Sequence, residues 1–338
     1  MESINNSLHM ASYLPLSSIK KPREKELPLR LQKTESDNQL LIERIHHARR
    51  YKLAIDKDLC VGCDICKTVC PKEAIKIAKP EKKLGEKAQK PTVEVEMEKC
   101  HFCGVCNAIC PFGAIKVLID DKNILSVVEK GSFPELVREM EINPNKCDSA
   151  SIEYEQACPL NLITVTFHAA DGKEIKNSGE LTQEEKKNLK AEVTVKKDQC
   201  PCCRICELKG PTDAILVKPI FSGTLKINED KCPVPCRDCL DVCPIKGALV
   251  LSEDETKVRV NESFCVYCGA CRNVCPVEGA LELQRISVRH TTVKSGAWNK
   301  ALEKLASTKE ISKELRAKGA VKAKEMVDRR FEQGKQRQ

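Results

Sequence analysis

The chain has 338 residues, of which 41% are hydrophobic but only 4% aromatic, with 22 cysteines and a formal charge of +8. That length admits two or three ordinary domains, while the scarcity of large apolar side chains calls for staples other than a big core. The charge is uneven: residues 1–50 carry 9 Lys/Arg against 6 Asp/Glu, residues 51–286 carry 34 against 37, and residues 287–338 carry 14 against 6. An acidic body with a basic tail argues for protein partners and against a nucleic-acid groove. The stretch Met1 to Lys20 has no apolar signal core, and no apolar run reaches the roughly eighteen residues of a membrane span. A reducing cytoplasm, where grouped thiols bind metal instead of forming disulfides, is the expected compartment.

In chain order, residues 1–50 contain no cysteine and read as an extension. Asp37 is placed to cap a helix from Asn38 toward Arg50, with Leu40, Leu41, Ile42 and Ile45 as its apolar residues. His46 and His47 near its end point to different faces, as a solvated helix end would.

From Tyr51 a repeat begins. Cys60, Cys63, Cys66 and Cys70-Pro71 have the C-x2-C-x2-C-x3-C-P spacing of thiolate ligation to a 4Fe–4S cluster. Versions recur five more times. Each unit reads as a strand, a cysteine loop with a short helix, a Cys-Pro corner and a second strand. Tyr51 to Ile55 and Thr92 to Glu96 alternate as entry strands. Exit strands follow at Ala74–Ile77, Ala114–Val117, Ala214–Val217, Ala248–Leu251 and Ala280–Leu283. Lys79 to Lys90 reads as a charged hairpin insertion turning at Gly85. Phe133 to Met140 suggests a linking helix, and Ala169 to Lys190 a polar insertion with a helix near Thr182 to Leu189.

In two-cluster ferredoxins the fourth cysteine of each motif completes its neighbour's site. Pairing motifs in sequence gives Cys60, Cys63, Cys66 with Cys110, and Cys100, Cys103, Cys106 with Cys70. At the other end it gives Cys232, Cys236, Cys239 with Cys275, and Cys265, Cys268, Cys271 with Cys243. The middle pair is eroded: the third motif keeps only Cys147 and Cys158-Pro159, and the fourth keeps Cys200, Cys203 and Cys206 but has Gly210 in the corner. Exchange then lets Cys158 complete the site of Cys200, Cys203 and Cys206, while the mate keeps only Cys147. The result is about five 4Fe–4S clusters from six motifs. A nested pairing, third motif with sixth and fourth with fifth, would instead leave one site with three cysteines and another with two. Cys202 has no slot in the spacing; it reads as a spare thiol, or as a substitute for Cys158 if that corner is displaced.

Other chemistries fit less well. The C-x3-C-x2-C run from Cys232 to Cys239 is also the spacing of radical S-adenosylmethionine enzymes, but the large barrel such enzymes need has no room after it. Zinc knuckles have no use for the third cysteine or the fixed corner. Gly62, Gly104 and Gly269 suit loops whose N–H groups face sulfur. Ile65, Val69, Phe102, Val105, Ile109 and Tyr267 suit a dry shell around it. No nucleophile with a base, phosphate loop or paired carboxylates is present, so the chain reads as a non-catalytic electron carrier.

The expected fold is α+β, tandem bacterial-type two-cluster ferredoxin modules with helical N- and C-terminal extensions. The expected divisions are 1–50, 51–122, 123–223 (one cluster), 224–286 and a basic helical tail at 287–338. In that tail Trp298, Leu302 and Leu305 form a narrow apolar stripe suited to another subunit. Ser307 and Glu310 resemble a capping box. Ile311 and Leu315 share a face until Gly319 interrupts it.

The tandem motifs of residues 51–286, with the stretch Ser295-Gly-Ala-Trp298-Asn-Lys-Ala-Leu302-Glu-Lys-Leu305, resemble the polyferredoxin F subunit of formylmethanofuran dehydrogenase from methanogenic archaea. The resemblance implies electron delivery to or from a tungsten or molybdenum enzyme that reduces carbon dioxide to a formyl group. It implies as partners the catalytic and other subunits of that assembly, and other ferredoxin-type carriers. A polyferredoxin of a hydrogenase or another anaerobic oxidoreductase complex would show the same motifs. Members of the family carry more motifs than this chain, which leaves open the electron route through its eroded middle.

Overall fold

The computed structural model describes residues 30–46, 48–80, 86–147, 151–168, 174–175, 190–210, 214–253, 256–294, 296–307, 312, 316 and 319–329. Gly85, the Thr182 to Leu189 segment, His47, Glu310, Ile311 and Leu315 lie outside the described residues.

Each pair of motifs repeats one antiparallel pattern. The strand entering the first motif pairs with the strand leaving the second, and the two inner strands pair with each other. In the first pair Arg49–Asp56 lies beside Ile115–Ile119, and Ile75–Ala78 beside Thr92–Val95. In the middle pair Met140–Ile142 lies beside Ile215–Val217, and Ile163–His168 beside Lys190–Val195. In the last pair Phe221–Ile227 lies beside Leu281–Val288, and Leu249–Leu251 beside Val258–Val260. The third motif is thus paired with the fourth and the fifth with the sixth, as in sequence order and not nested.

The N-terminal segment corrects one expectation. Asn38 to Arg50 is not a helix: Gln39–His46 is a strand joining Arg30–Glu35 to Arg49–Asp56 in a four-stranded sheet. Leu40 and Ile42 are buried two residues apart, opposite Ile55 and Leu53, which are themselves opposite Ile115 and Val117. That shared apolar face, with the strand period of two, outweighs local helix preference. Ser36, Asp37 and Asn38 form the hairpin turn, in which the Gln39 amide donates to Ser36 Oγ at 3.1 Å.

A second correction falls at Phe133 to Met140, which is not helical. The short helix comes earlier, at Ser126–Glu129. Phe133 instead lies under the C-terminal helix Ala297–Leu305, its ring 5.0 Å edge-on from that of Trp298. The stripe of Trp298, Leu302 and Leu305 is therefore buried within this chain, not left for another subunit. Trp298 Nε1 donates to His290 Nε2 at 3.2 Å. Ser307 donates to the Ile286 carbonyl at 3.1 Å, and Gly319 is itself helical. Among the described residues, no helix is long and apolar enough to cross a membrane.

Candidate metal centres

Short helices follow each cysteine loop: Ile65–Val69, Val105–Ala108, Ile152–Ala157, Ile205–Lys209, Asp238–Val242 and Ala270–Val274. A residue before proline is pushed out of helical backbone. Accordingly Cys70, Cys158 and Cys243 end their helices in extended conformation, with φ between −70° and −64°. The corner swings each of these thiols toward the neighbouring motif's loop.

Several thiols lie close enough to oppose one another's ionisation. Cys60 and Cys66 are each pushed up first by burial and then by Cys110 among others. Cys100 and Cys103 feel Cys70, as does Cys106. Burial pushes Cys203 and Cys206 up to about 12, and both feel Cys158. Cys239, pushed up to about 12 by burial, feels Cys232, Cys236 and Cys275. Cys243 is pushed up to about 12, again by burial first, with Cys268 and Cys265 adding to it; Cys271 feels all three. Three of these groups also surround apolar cavities. Cys243, Cys265, Cys268 and Cys271 line one. Cys70, Cys100, Cys103 and Cys106 line the second. Cys158, Cys200, Cys203 and Cys206 line the third.

The donor chemistry suits thiolate sulfur. The residue before the second cysteine is in left-handed backbone at Gly62, Phe102, Cys202 and Tyr267, with φ from 50° to 69°. For three non-glycine residues that conformation is costly, and it aims the peptide N–H at the first cysteine. The amides of Gly62, Phe102 and Tyr267 lower Cys60, Cys100 and Cys265 against the larger rise from burial. The Cys202 amide donates to Cys200 Sγ at 3.4 Å. Corner thiols are served likewise: Ala74 N–H donates to Cys70 Sγ at 3.4 Å and Leu162 N–H to Cys158 Sγ at 3.3 Å. Buried thiols in a dry pocket would stay protonated on their own; the positive charge of iron draws them into the thiolate form. Four thiols, inward N–H donors and an apolar shell of Leu53, Phe102, Val105 and Val117 in one case fit a 4Fe–4S cluster.

Cys202 thus has a place that motif spacing did not reveal: it is the turn residue of its loop and is buried. A hydrogen bond with Cys202 is the first cause that holds the Cys200 thiol below its ordinary value. The eroded site was also only half legible. Tyr154 stands four residues before Cys158, the place held by Cys66 before Cys70 and by Cys106 before Cys110. Its ring is 0% exposed and lies against Gly210 so closely that a Cβ there would sit 2.0 Å from Tyr154 Cε1. A tyrosine ring thus takes the third-cysteine place and a glycine the fourth-cysteine place in the lost site. Cys147, at the first place, is buried and donates to the Asn143 carbonyl at 3.3 Å.

Polar side chains tie the motif pairs together, and sequence spacing gave no sign of them. Arg138 donates to the Cys110 carbonyl at 2.8 Å and to the Cys200 carbonyl at 3.1 Å. Arg285 and Arg272 both reach Asp64, beside Cys63.

Comparison with known proteins agrees with this chemistry. Residues 46–114 and residues 224–276 each match a family described as a 4Fe-4S dicluster domain. No curated protein matches the chain. A chain of the formate dehydrogenase–heterodisulfide reductase–formylmethanofuran dehydrogenase complex from Methanospirillum hungatei is similar, with a TM-score of 0.69 and 30% identity. The alignment covers 82% of this chain and 92% of that one. With tandem dicluster domains at both ends and that structural likeness, the chain belongs to the ferredoxin-type 4Fe-4S dicluster proteins.

Proposed function

We propose that the chain is a polyferredoxin that relays electrons through five 4Fe–4S clusters as the F-type subunit of a formylmethanofuran dehydrogenase assembly. The observation that carries the electron-relay reading is the repeated meeting of three loop thiols with one corner thiol from the paired motif. The ligand sets are Cys60, Cys63, Cys66, Cys110; Cys70, Cys100, Cys103, Cys106; Cys158, Cys200, Cys203, Cys206; Cys232, Cys236, Cys239, Cys275; and Cys243, Cys265, Cys268, Cys271. Residues 51–122, 123–223 and 224–286 form the modules that hold two, one and two clusters. The specific assembly is supported by the likeness to a chain of a complex whose name includes formylmethanofuran dehydrogenase.

When bound, the clusters supply one-electron redox chemistry. The chain's own residues fix their spacing, exclude water and direct N–H groups at the sulfurs. The subunit is non-catalytic, cytoplasmic and bound to the catalytic and other subunits of its complex. Anaerobic purification of the native assembly tests this reading. It predicts about twenty irons per chain with matching sulfide, brown absorbance bleached by dithionite, no turnover by the isolated chain, and a co-purifying tungsten or molybdenum subunit. A correctly folded, colourless zinc protein would refute the relay, and a hydrogenase partner would refute the assembly.

A further inference from the structure

On the ligand sets proposed above, the five sites are not strung in sequence order. Asp64 follows Cys63 directly, and its carboxylate is buried between the first and last pairs of motifs. Arg285, on the strand leaving the sixth motif, is only 6% exposed. Its Nη2 donates to Asp64 Oδ1 at 2.7 Å and to the Cys268 carbonyl at 2.8 Å, and its Nε to the Tyr267 carbonyl at 2.8 Å. Arg272 pairs with the other Asp64 oxygen. Asn273 donates to the Gly62 carbonyl at 2.9 Å. Gly269, at φ +92°, leaves room for this cluster of groups, since a Cβ there would lie 3.2 Å from Asp64 Oδ1 and 3.3 Å from Arg285 Nη2. One buried guanidinium thus holds the loop of Cys265–Cys271 against that of Cys60–Cys66.

The middle pair meets the first elsewhere. Arg138 bridges the Cys110 and Cys200 carbonyls, and Gly113 lies where a Cβ would come 2.6 Å from the Asp198 carbonyl oxygen. Within the first pair, the helices Ile65–Val69 and Val105–Ala108, which carry Cys66 and Cys106, pack on each other. The site of Cys60, Cys63, Cys66 and Cys110 therefore has three neighbours, two of them through separate arginine contacts.

We infer that this site is a junction, at which Asp64 and Arg285 act as positioning residues so that electrons pass directly between the last and first motif pairs, and the middle site is a side branch. Burying a charge is costly unless it is paired and hydrogen-bonded, and such a pair fixes geometry more than it adds stability. Here the geometry fixed is the approach of two cysteine loops. Each passage oxidises the donor site by one electron and reduces the acceptor site by one, with no bond or proton moved.

The test uses the full-length protein, prepared anaerobically and partly reduced with dithionite, as Asp64→Asn, Arg285→Met and Cys158→Ser. Iron is counted first, and pulsed paramagnetic resonance then reads the interaction between reduced sites of different pairs. Asp64→Asn, of unchanged shape, and Arg285→Met should keep the wild-type iron content yet lose the first-to-last interaction. Cys158→Ser should lose about four irons and keep it. An undiminished interaction in Asp64→Asn at full iron overturns the proposal, as does its loss in Cys158→Ser alone. Iron-poor wild-type protein would instead refute the ligand sets and is read separately by the iron count.

Discussion

Tyr154 and Gly210 offer a test of how a lost site is filled. Gly210 has φ −85° and ψ −179°, a backbone any residue can adopt, so Gly210→Ala adds no conformational strain. The added methyl would lie 2.0 and 2.2 Å from two carbons of the Tyr154 ring. Carbon atoms pack at about 3.5–4 Å, so the ring must retreat by roughly 1.5 Å. It has no solvent side to retreat to. Overpacking of this kind costs about 1–3 kcal/mol. Tyr154→Ala removes the ring and should cost about 3–5 kcal/mol through the cavity it leaves. In the double variant the new methyl enters that cavity, so most of the alanine penalty should vanish, apart from its contact with the Cys206 carbonyl at 2.8 Å. Anaerobic guanidine unfolding, followed by backbone dichroism and visible absorbance, measures the cycle. Additivity within about 0.5 kcal/mol would refute the reasoning, because it would mean that methyl and ring do not compete for one space.

Other perturbations separate the remaining contributions. Cys158→Ser should lower iron by about four per chain, the content of one cluster, whereas Cys147→Ser should leave it unchanged; equal losses in metal analysis would contradict the exchange of corner thiols. Trp298→Ala should cost about 3–5 kcal/mol, since its buried ring packs edge-on against Phe133 and His290; a lowered thermal midpoint would show it. In metal-free protein, Cys203, Cys206, Cys239 and Cys243 keep their protons to about pH 12, against an ordinary thiol value of 9.0. Above pH 9 the unfolded chain then binds fewer protons than the folded one, so stability should fall as pH rises through that window. Cluster loading should show the opposite slope, strengthening as pH rises from acid, because iron displaces thiol protons. Midpoints and iron retention measured across pH check both signs.

The six motifs and the exit strands were legible because each depends on residues a few positions apart. Cys-Pro forces its own corner, and the loop must return its thiols to one point. The N-terminal segment was misread because Leu40, Leu41 and Ile42 suit either period, and only pairing with Arg49–Asp56 chose the strand. The stripe of Trp298, Leu302 and Leu305 gave its helix correctly, but Phe133, far away in the chain, decided that it is buried within this molecule. Sequence alone therefore determined the cysteine loop and its Cys-Pro corner, since those are local stereochemistry. Tertiary structure decided which gathered groups lie side by side, because Asp64 and Arg285, 221 residues apart, meet only when whole modules dock, and no short-range pattern records that meeting.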